Sequence, residues 1–278
     1  MSSSLAPEAL LDDGGPLAQL AVTVVVARPV APDDDRYEVL LSERGRGAFA
    51  RGLWVFPGGR IDTEDARDDV LELASVRAVA DRFGVTLGRA AALVVGAVRE
   101  LAEETAIARP GPAAITLDEA SWRAVRAGSF DFEPPSAPLW SLARWLPPRL
   151  EMRRFDTYFL ACEVPPHTEA RADGDELRRH RWIAPAEALE TFEAGALPLL
   201  PPTYRSLTEL AAFPTLAALR AAFADHWPPV NAPLVREPKP GEGGIVVTEL
   251  GPGSRPGLDG ATGHAFRFDG EHWSPVRV

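Results

Sequence analysis

Residues 99–107 read RELAEETAI and residues 53–65 read LWVFPGGRIDTED, and these two stretches together decide the fold. On a helix, Glu100, Glu103 and Glu104 lie on one side, since residues three and four positions apart are neighbours there. Like charges at this spacing destabilise a helix by about a few tenths of a kcal/mol per pair, so the pattern favours a bound cation. A small set of carboxylate oxygens suits Mg2+ or Mn2+. The helix is therefore predicted to carry a metal site.

The same helix has a second interpretation, as an amphipathic helix with a solvated acidic face. Val98 and Leu101 give it a side that can be buried. The FPGG motif at residues 56–59 favours the metal site instead. Its proline forces a turn, and its two glycines let the backbone come close to a ligand.

At these residues the chain resembles the Nudix hydrolases, whose box runs G-x5-E-x7-R-E-U-x-E-E-x-G-U, with U a bulky aliphatic residue. The residues that match this box are Gly59, Arg99, Glu100, Leu101, Glu103, Glu104 and Ile107. Asp65 stands where the family has its first Glu, and Ala106 stands where the family has Gly. Residues 66–98 fill a gap that spans only seven residues in the family, so the box carries a long insertion.

The insertion is similar to one found in a single Nudix branch, the coenzyme A and acyl-coenzyme A diphosphatases. That branch also carries GG-x-hydrophobic-D-x-x-D, matched here by Gly58, Gly59, Ile61, Asp62 and Asp65. Two later segments, residues 140–165 and 182–210, look alike as well, so the resemblance covers about residues 18–215. It implies an α/β fold: a Nudix-type α/β/α sandwich with a mixed sheet, plus a helical insertion at about 66–90.

The resemblance implies hydrolysis of the pyrophosphate bond in coenzyme A or acyl-coenzyme A, with Mg2+ or Mn2+ as cofactor. The products would be 3′,5′-ADP and (acyl-)phosphopantetheine. The implied metal ligands are Glu100, Glu104, Glu103 and the carbonyl of Gly59. Arg99 would orient Glu100, and Glu103 would be either a ligand or a base that acts through water.

A second acid often comes from a loop beyond the box in this fold. The stretch ADGDELRRHRW, residues 172–182, offers Asp173, Asp175 and Glu176, of which Glu176 is the chosen candidate. A solvated acidic turn is the other interpretation of this stretch.

The candidates for binding the substrate phosphates are arginines, because a guanidinium group binds phosphate oxygens in a fork. These candidates are Arg44, Arg51, Arg153 and Arg154. Any one of them has the alternative role of a surface ion-pair partner.

Two other functions stay open on the sequence. The first is a diphosphatase of ADP-ribose, NADH or another nucleotide sugar, because the loops that set substrate specificity lie outside the box. The second is a non-catalytic Nudix module that binds a nucleotide as a sensor, favoured by Asp65, Ala106 and the broken spacing. Against the sensor, a pure binder would not need Glu100, Glu103 and Glu104 together.

The composition limits the partners. The net charge is −11 and the sequence pI is about 5.0, which argues against a nucleic-acid or anionic-membrane binder. An anionic small-molecule nucleotide therefore needs a local cationic site or a metal. The single cysteine, Cys162, lies in an apolar run and is predicted to be a buried core thiol.

Residues 1–17 are predicted to be a disordered tail, residues 18–229 the Nudix domain, and residues 230–278 a Pro/Gly-rich extension with two or three short strands. Apolar spacing predicts a helix across residues 64–85, and PVAPDDD at residues 29–35 predicts a loop between two strands. No stretch is apolar enough to span a membrane, and no signal peptide is recognised, so the cytoplasm is expected. Similar proteins often form homodimers, which makes a homodimer possible.

Overall fold

The computed structural model describes residues 18–45, 51–147, 154–172, 174, 176–224, 228–231, 234–236, 245–248, 265–268 and 273–276. The strands are β1 Gln19–Ala31, β2 Asp34–Arg44, β3 Trp54–Val55, β4 Gly58–Arg60, β5 Ile107–Ala108, β6 Ile115–Thr116, β7 Trp140–Trp145, β8 Phe155–Glu163, β9 Leu177–Ile183, β10 Val230–Asn231, β11 Leu234–Arg236, β12 Ile245–Thr248, β13 Ala265–Phe268 and β14 Trp273–Val276. The helices are α1 Ala74–Phe83, α2 Leu87–Thr105, α3 Glu119–Arg126, α4 Pro185–Glu193, α5 Pro201–Ala211 and α6 Leu216–Ala224.

The main sheet is built around β1 and mixes parallel and antiparallel pairs. Its strands follow the order β10-β7-β8-β1-β2-β3, with β4 paired to β1 and β9 paired to β2. β1 runs parallel to β8 and antiparallel to β2 and β4. The middle of β1 is an apolar run buried almost throughout, as expected for a central strand covered on both faces.

Helices cover both faces of this sheet and form two separate cores. Alternate β1 residues point to opposite faces, so Val24 packs with α1 and α2 while Val25 packs with α4, α5 and α6. Cys162 lies in the first of these cores, where burial raises the pKa of its thiol to about 12. The predicted α/β/α sandwich with a mixed sheet is confirmed.

The predicted metal helix is α2, and both of its ends follow from the sequence. Thr86 is the N-cap, and its hydroxyl oxygen accepts a hydrogen bond from the backbone N–H of Arg89 at 3.2 Å. The helix ends at Thr105, and the C-cap residue Ala106 has a left-handed φ of 61°. A residue with a β-carbon is less favourable there than glycine by about 1 kcal/mol. Ala106 therefore ends the helix in a conformation that glycine adopts more easily, at a cost in backbone energy.

The insertion is less helical than its apolar spacing predicted. The α-helix begins only at Ala74, and the residues before it form two short 3-10 helices, Thr63–Asp65 and Asp68–Val70. Aspartate side chains compete for backbone hydrogen bonds and favour turns over helix interiors, and this segment is rich in them. The prediction of one helix across residues 64–85 is wrong in its first half.

Two loop predictions also change. β1 continues through Ala31 and β2 starts at Asp34, so the expected loop at residues 29–35 is a tight turn within a hairpin. Gly58–Arg60 forms a strand against β1, although the sequence suggested only a glycine turn. In both places pairing with a central strand extends the ladder into residues that prefer turns.

A buried ion pair joins β7 to β8. Arg144 donates from Nε and Nη2 to the two carboxylate oxygens of Asp156 at 2.7 and 2.8 Å, and both side chains are almost fully buried. The guanidinium also lies 5.1 Å from the ring centroid of Tyr158. This pair gives a structural reason for the Asp in the RRFDT segment at residues 153–157.

Beyond the main sheet, β11, β12, β13 and β14 form an antiparallel four-stranded sheet, one strand more than the sequence suggested. The predicted tail at residues 1–17 lies outside the described residues, and the predicted domain bounds stay predictions. Among the described helices, none alone has the length and apolarity to cross a membrane. α5 and α6 have that length and apolarity only when they are taken together, and the chain bends by 106° at the break between these two helices.

Candidate active site

The two glycines of FPGG lie directly against α2. The backbone N–H of Gly58 donates a hydrogen bond of 2.7 Å to Oε2 of Glu104. A β-carbon on Gly58 would lie 2.3 Å from the carbonyl oxygen of Val22, and one on Gly59 would lie 2.4 Å from Oε1 of Glu100. At Gly58 the backbone of β1 leaves no room for a side chain, and at Gly59 a side chain would displace the carboxylate of Glu100. The structure therefore brings the predicted backbone turn and the predicted acidic helix together.

Burial and mutual repulsion act on the glutamates that face this turn. Burial raises the pKa of Glu104 well above its usual value, and the charge of Glu100 raises it further. Burial also raises the pKa of Glu100 to about 7, although the neighbouring guanidinium of Arg99 opposes the shift. The carboxylate of Glu176 contributes to raising both values, so it lies close enough to interact with both. A cation bound beside these carboxylates would offset their burial and their mutual repulsion.

Arg99 holds the other side of the site. Its Nε and Nη2 donate to the two carboxylate oxygens of Asp65 at 2.9 and 2.8 Å. Its Nη1 donates to Oε1 of Glu100 and to Oε2 of Glu103, both at 3.0 Å. Its Nη2 also donates to the backbone carbonyl of Arg60 at 2.9 Å. Such charge-assisted contacts fix the guanidinium, and they include the contact between Arg99 and Glu100 that the family resemblance implies.

Asp65 anchors this arrangement from a buried position. It is 1% exposed, and it accepts a further hydrogen bond of 2.8 Å from the backbone N–H of Asp62. Its carboxylate packs against Gly96 of α2, where a β-carbon would lie 3.0 Å from Asp65 Oδ2 and 2.4 Å from Ile61 Cδ1. Gly96 was not among the predicted site residues, although a glycine inside a helix was an available signal.

The carboxylate of Glu103 contacts Arg99. Burial raises the pKa of its carboxyl group, and the hydrogen-bonded guanidinium of Arg99 opposes that shift. Its backbone carbonyl accepts a hydrogen bond of 2.9 Å from the indole N–H of Trp122 on α3. Glu103 is thus held at the edge of the candidate site by two contacts.

The donor set fits a hard divalent cation. Within the described ranges, no group of three or more His, Cys, Asp or Glu side chains is already gathered as a complete ion cage. Mg2+ does not require one, because it keeps several waters and binds through one or two carboxylates together with substrate phosphates. Glu100 and Glu104, which lie against the glycine turn, are oxygen donors of this kind.

The structure separates the four candidate arginines. Arg44 interacts electrostatically with Glu104, and its Nε is buried without a hydrogen-bond partner among the described residues. Arg51 is exposed in the turn before β3. Arg154 is buried and donates to the backbone carbonyl of Pro147. Arg153 lies outside the described residues. Arg44 is therefore the described candidate for which the structure shows an interaction with a glutamate of the site.

The backbone of Glu176 lies beside the residue that follows Arg44. The backbone carbonyl of Glu176 accepts a hydrogen bond of 2.7 Å from the N–H of Gly45, just after β2. The other two acids of this stretch, Asp173 and Asp175, lie outside the described residues.

The chain is similar in sequence to proteins of known name. No family model matches the chain. It is 25% identical over 271 residues to acyl-coenzyme A diphosphatase NUDT19 of Xenopus laevis, covering 76% of this chain and 70% of that protein. It is 28% identical over 256 residues to the protein of the same name from Gallus gallus, covering 71% and 67%.

The fold comparison agrees with the sequence comparison. A crystal structure of a Nudix hydrolase from Alicyclobacillus acidocaldarius matches with a TM-score of 0.58 and 24% identity, covering 73% of this chain and 96% of that one. The fold class is confirmed, and so is the predicted resemblance to the Nudix acyl-coenzyme A diphosphatase branch.

Proposed function

We propose that this chain, a Nudix-fold pyrophosphohydrolase, hydrolyses the pyrophosphate bond of coenzyme A or acyl-coenzyme A with Mg2+ or Mn2+. The products are 3′,5′-ADP and (acyl-)phosphopantetheine. The observation that carries the proposal is the contact of Gly58 and Gly59 with Glu104 and Glu100 on α2. The similarity to relatives named acyl-coenzyme A diphosphatase supports the choice of substrate.

Each residue has a separate task in the proposed reaction. Glu100, Glu104 and the Gly59 carbonyl would hold the metal, and Glu103 would be either a further ligand or a base that acts through water. When bound, the metal neutralises the phosphate oxygens and polarises the attacking water. The N–H of Gly58 fixes Glu104, and Arg99 fixes Glu100.

The proton of the attacking water needs an acceptor near the metal site. Glu176 and Glu103 are the two candidates, since Glu176 interacts with both Glu100 and Glu104 and Glu103 stands one residue before Glu104. Water then attacks one phosphorus and the bridging oxygen leaves with the other phosphate. Arg44 would bind phosphate oxygens, because its buried Nε N–H has no acceptor among the described residues.

Product analysis tests this function. The purified protein is incubated with acyl-coenzyme A, coenzyme A, ADP-ribose and NADH, with Mg2+ and with EDTA. We expect 3′,5′-ADP from the first two, and none in EDTA. Cleavage of ADP-ribose or NADH alone would keep the chemistry and reject the substrate. Binding of a nucleotide without turnover of any of the four would favour the sensor.

The substrate of this proposal is a small nucleotide. The homodimer, the cytoplasmic location and the absence of nucleic-acid and membrane partners stay predictions.

The metal-free protein should lose stability as the pH rises. The pKa of Glu100 rises from an ordinary 4.5 to about 7 in the folded state, so folding favours its protonated form. The stabilisation is fully present below pH 4.5 and is lost as the pH passes through about 7. The titration of Glu100 alone should make the free energy of unfolding about 3 kcal/mol smaller above pH 7 than below pH 4.5.

Thermal unfolding in EDTA from pH 4 to pH 8 measures this effect. We expect the Tm of the wild type to fall relative to that of Glu100→Gln as the pH rises. Added Mg2+ should restore the wild type and leave the variant almost unchanged. Parallel Tm curves for the two proteins would contradict the electrostatic description of the site.

A further inference from the structure

The last turn of α2, which carries Glu103 and Glu104, is unfavourable as an isolated helix end. It contains no basic residue, so both carboxylates lie at the negative end of the helix dipole. The last four carbonyls of a helix also lack partners within the helix. The N–H of Ala106 satisfies one of them, the carbonyl of Ala102, at 3.0 Å. The turn therefore needs further donors from elsewhere in the fold.

The carbonyl of Glu103 has its donor on α3. The N–H of Ile107, which would reach this carbonyl in a longer helix, donates instead to the hydroxyl oxygen of Thr105 at 3.2 Å. The indole N–H of Trp122 replaces it and donates to the Glu103 carbonyl at 2.9 Å. Trp122 is 6% exposed, so water competes little for this contact.

The helix that carries Trp122 is itself fixed against the end of α2. β5, which follows α2, pairs with β6, which precedes α3. The N–H of Leu117 donates to the carbonyl of Ala106 at 2.8 Å. Asp118 is the N-cap of α3, and its carboxylate accepts a hydrogen bond of 2.8 Å from the N–H of Ser121. The indole N–H of Trp122 is therefore a donor with a fixed position.

This contact acts on the peptide that joins the two glutamates. The carbonyl of Glu103 belongs to the peptide bond between Glu103 and Glu104, so its hydrogen bond fixes the backbone between their side chains. The carboxylate of Glu103 accepts from Arg99 at 3.0 Å, and the carboxylate of Glu104 accepts from the N–H of Gly58 at 2.7 Å. The side chains and the peptide between them are thus held by three separate donors.

We infer that Trp122 is a positioning residue, whose indole N–H holds the peptide between Glu103 and Glu104 and so keeps their carboxylates in place for the metal. The inference rests on the metal site of the proposed function. Trp122 lies outside the Nudix box and touches no reacting atom in the proposed reaction.

Binding of Mn2+ alone to the Trp122→Phe variant tests this role without a substrate. Phenylalanine keeps an aromatic ring and removes the indole N–H. The protein is treated with EDTA, dialysed and titrated with Mn2+ in a calorimeter. We expect the Kd for Mn2+ to be about tenfold higher in the variant than in the wild type, since loss of a group that orients metal ligands costs about that much.

The kinetics of the same variant separate positioning from a general loss of folding. The Mg2+ concentration that gives half-maximal release of 3′,5′-ADP should rise about tenfold. KM for acyl-coenzyme A should change little, because the arginine candidates for phosphate binding are untouched. Saturating Mg2+ should recover most of the lost kcat, whereas a partly unfolded variant would be less active at every Mg2+ concentration.

Trp182→Phe is the matched control. It makes the same chemical change on β9, at an indole N–H that is buried and has no hydrogen-bond partner among the described residues. It should leave the Kd for Mn2+ and kcat unchanged. Circular dichroism and Tm compare the folding of both variants. Hydrogen exchange in the wild type adds a measurement that needs no variant, and the indole N–H of Trp122 should exchange slowly with solvent.

The inference is overturned if Trp122→Phe binds Mn2+ as tightly as the wild type, or if Trp182→Phe loses as much affinity. Rapid exchange of the Trp122 indole N–H in the wild type would overturn it as well. Failure of the proposed function looks different. The wild type would then release no 3′,5′-ADP from acyl-coenzyme A, while it still bound Mn2+ more tightly than Trp122→Phe.

Discussion

The Glu104→Gln variant is expected to lose metal-dependent hydrolysis by about a thousandfold, because a metal contributes several kcal/mol of transition-state stabilisation. Glutamine keeps the carbonyl oxygen that accepts from the N–H of Gly58, so the position of α2 against β4 is preserved. It removes the negative charge that a divalent cation needs. Burial and Glu100 raise the pKa of Glu104, so removal of its charge should also raise the Tm in EDTA.

The measurement is kcat with Mg2+ together with Tm in EDTA at pH 8. Glu72→Gln is the matched control, because Glu72 is 83% exposed and pairs only at the surface with Arg77. It should change neither quantity. A Glu104→Gln variant that kept most of its activity would remove Glu104 from the metal site. A Tm of Glu104→Gln in EDTA below that of the wild type would contradict the repulsion between Glu104 and Glu100.

Replacement of Asp65 with Ala should produce the largest loss of stability of the changes considered. Asp65 and Arg99 form a two-contact ion pair with side chains 2% and 12% exposed. Removal of Asp65 leaves the Nε and one Nη2 donor of Arg99 without their acceptors, while Glu100 and Glu103 still offset part of the charge. We expect a destabilisation of about 3 kcal/mol, the lower end of the range for breaking a buried ion pair. The freed guanidinium also no longer fixes Glu100 and Glu103, so kcat should fall by about tenfold or more.

Urea unfolding and steady-state kinetics measure the two effects. Glu64→Ala is the control, since Glu64 is an exposed acid in the same short 3-10 helix and should cost less than about 0.5 kcal/mol. An Asp65→Ala variant as stable as this control would mean that the Arg99 pair does not hold the site. Full activity with reduced stability would limit Asp65 to a role in folding.

The parts of the site that follow from local spacing were predictable from the sequence. The placement of the RELAEE glutamates on one side depends on residues within one helix, and the FPGG turn depends on the conformations open to proline and glycine. The resemblance to a family then placed the two stretches together. The same resemblance predicted a contact between Arg99 and Glu100, and the structure has that contact.

The contacts that depend on tertiary register were not predictable in this way. The pairing of β2 with β9 sets Ser42 opposite His180, and no local pattern announces it. The packing of Asp65 on Gly96 requires the position of the insertion relative to α2. The first half of the insertion was misjudged because apolar spacing alone did not weigh its aspartates, which favour short turns.

The most direct test of the central claim is release of 3′,5′-ADP from acyl-coenzyme A during a Mg2+ titration, with wild type and Glu104→Gln compared. We predict release that rises with Mg2+ to saturation, is abolished by EDTA, and is about a thousandfold slower in the variant. Release that does not depend on Mg2+ or Mn2+, or that is equally fast in Glu104→Gln, would contradict the proposed site.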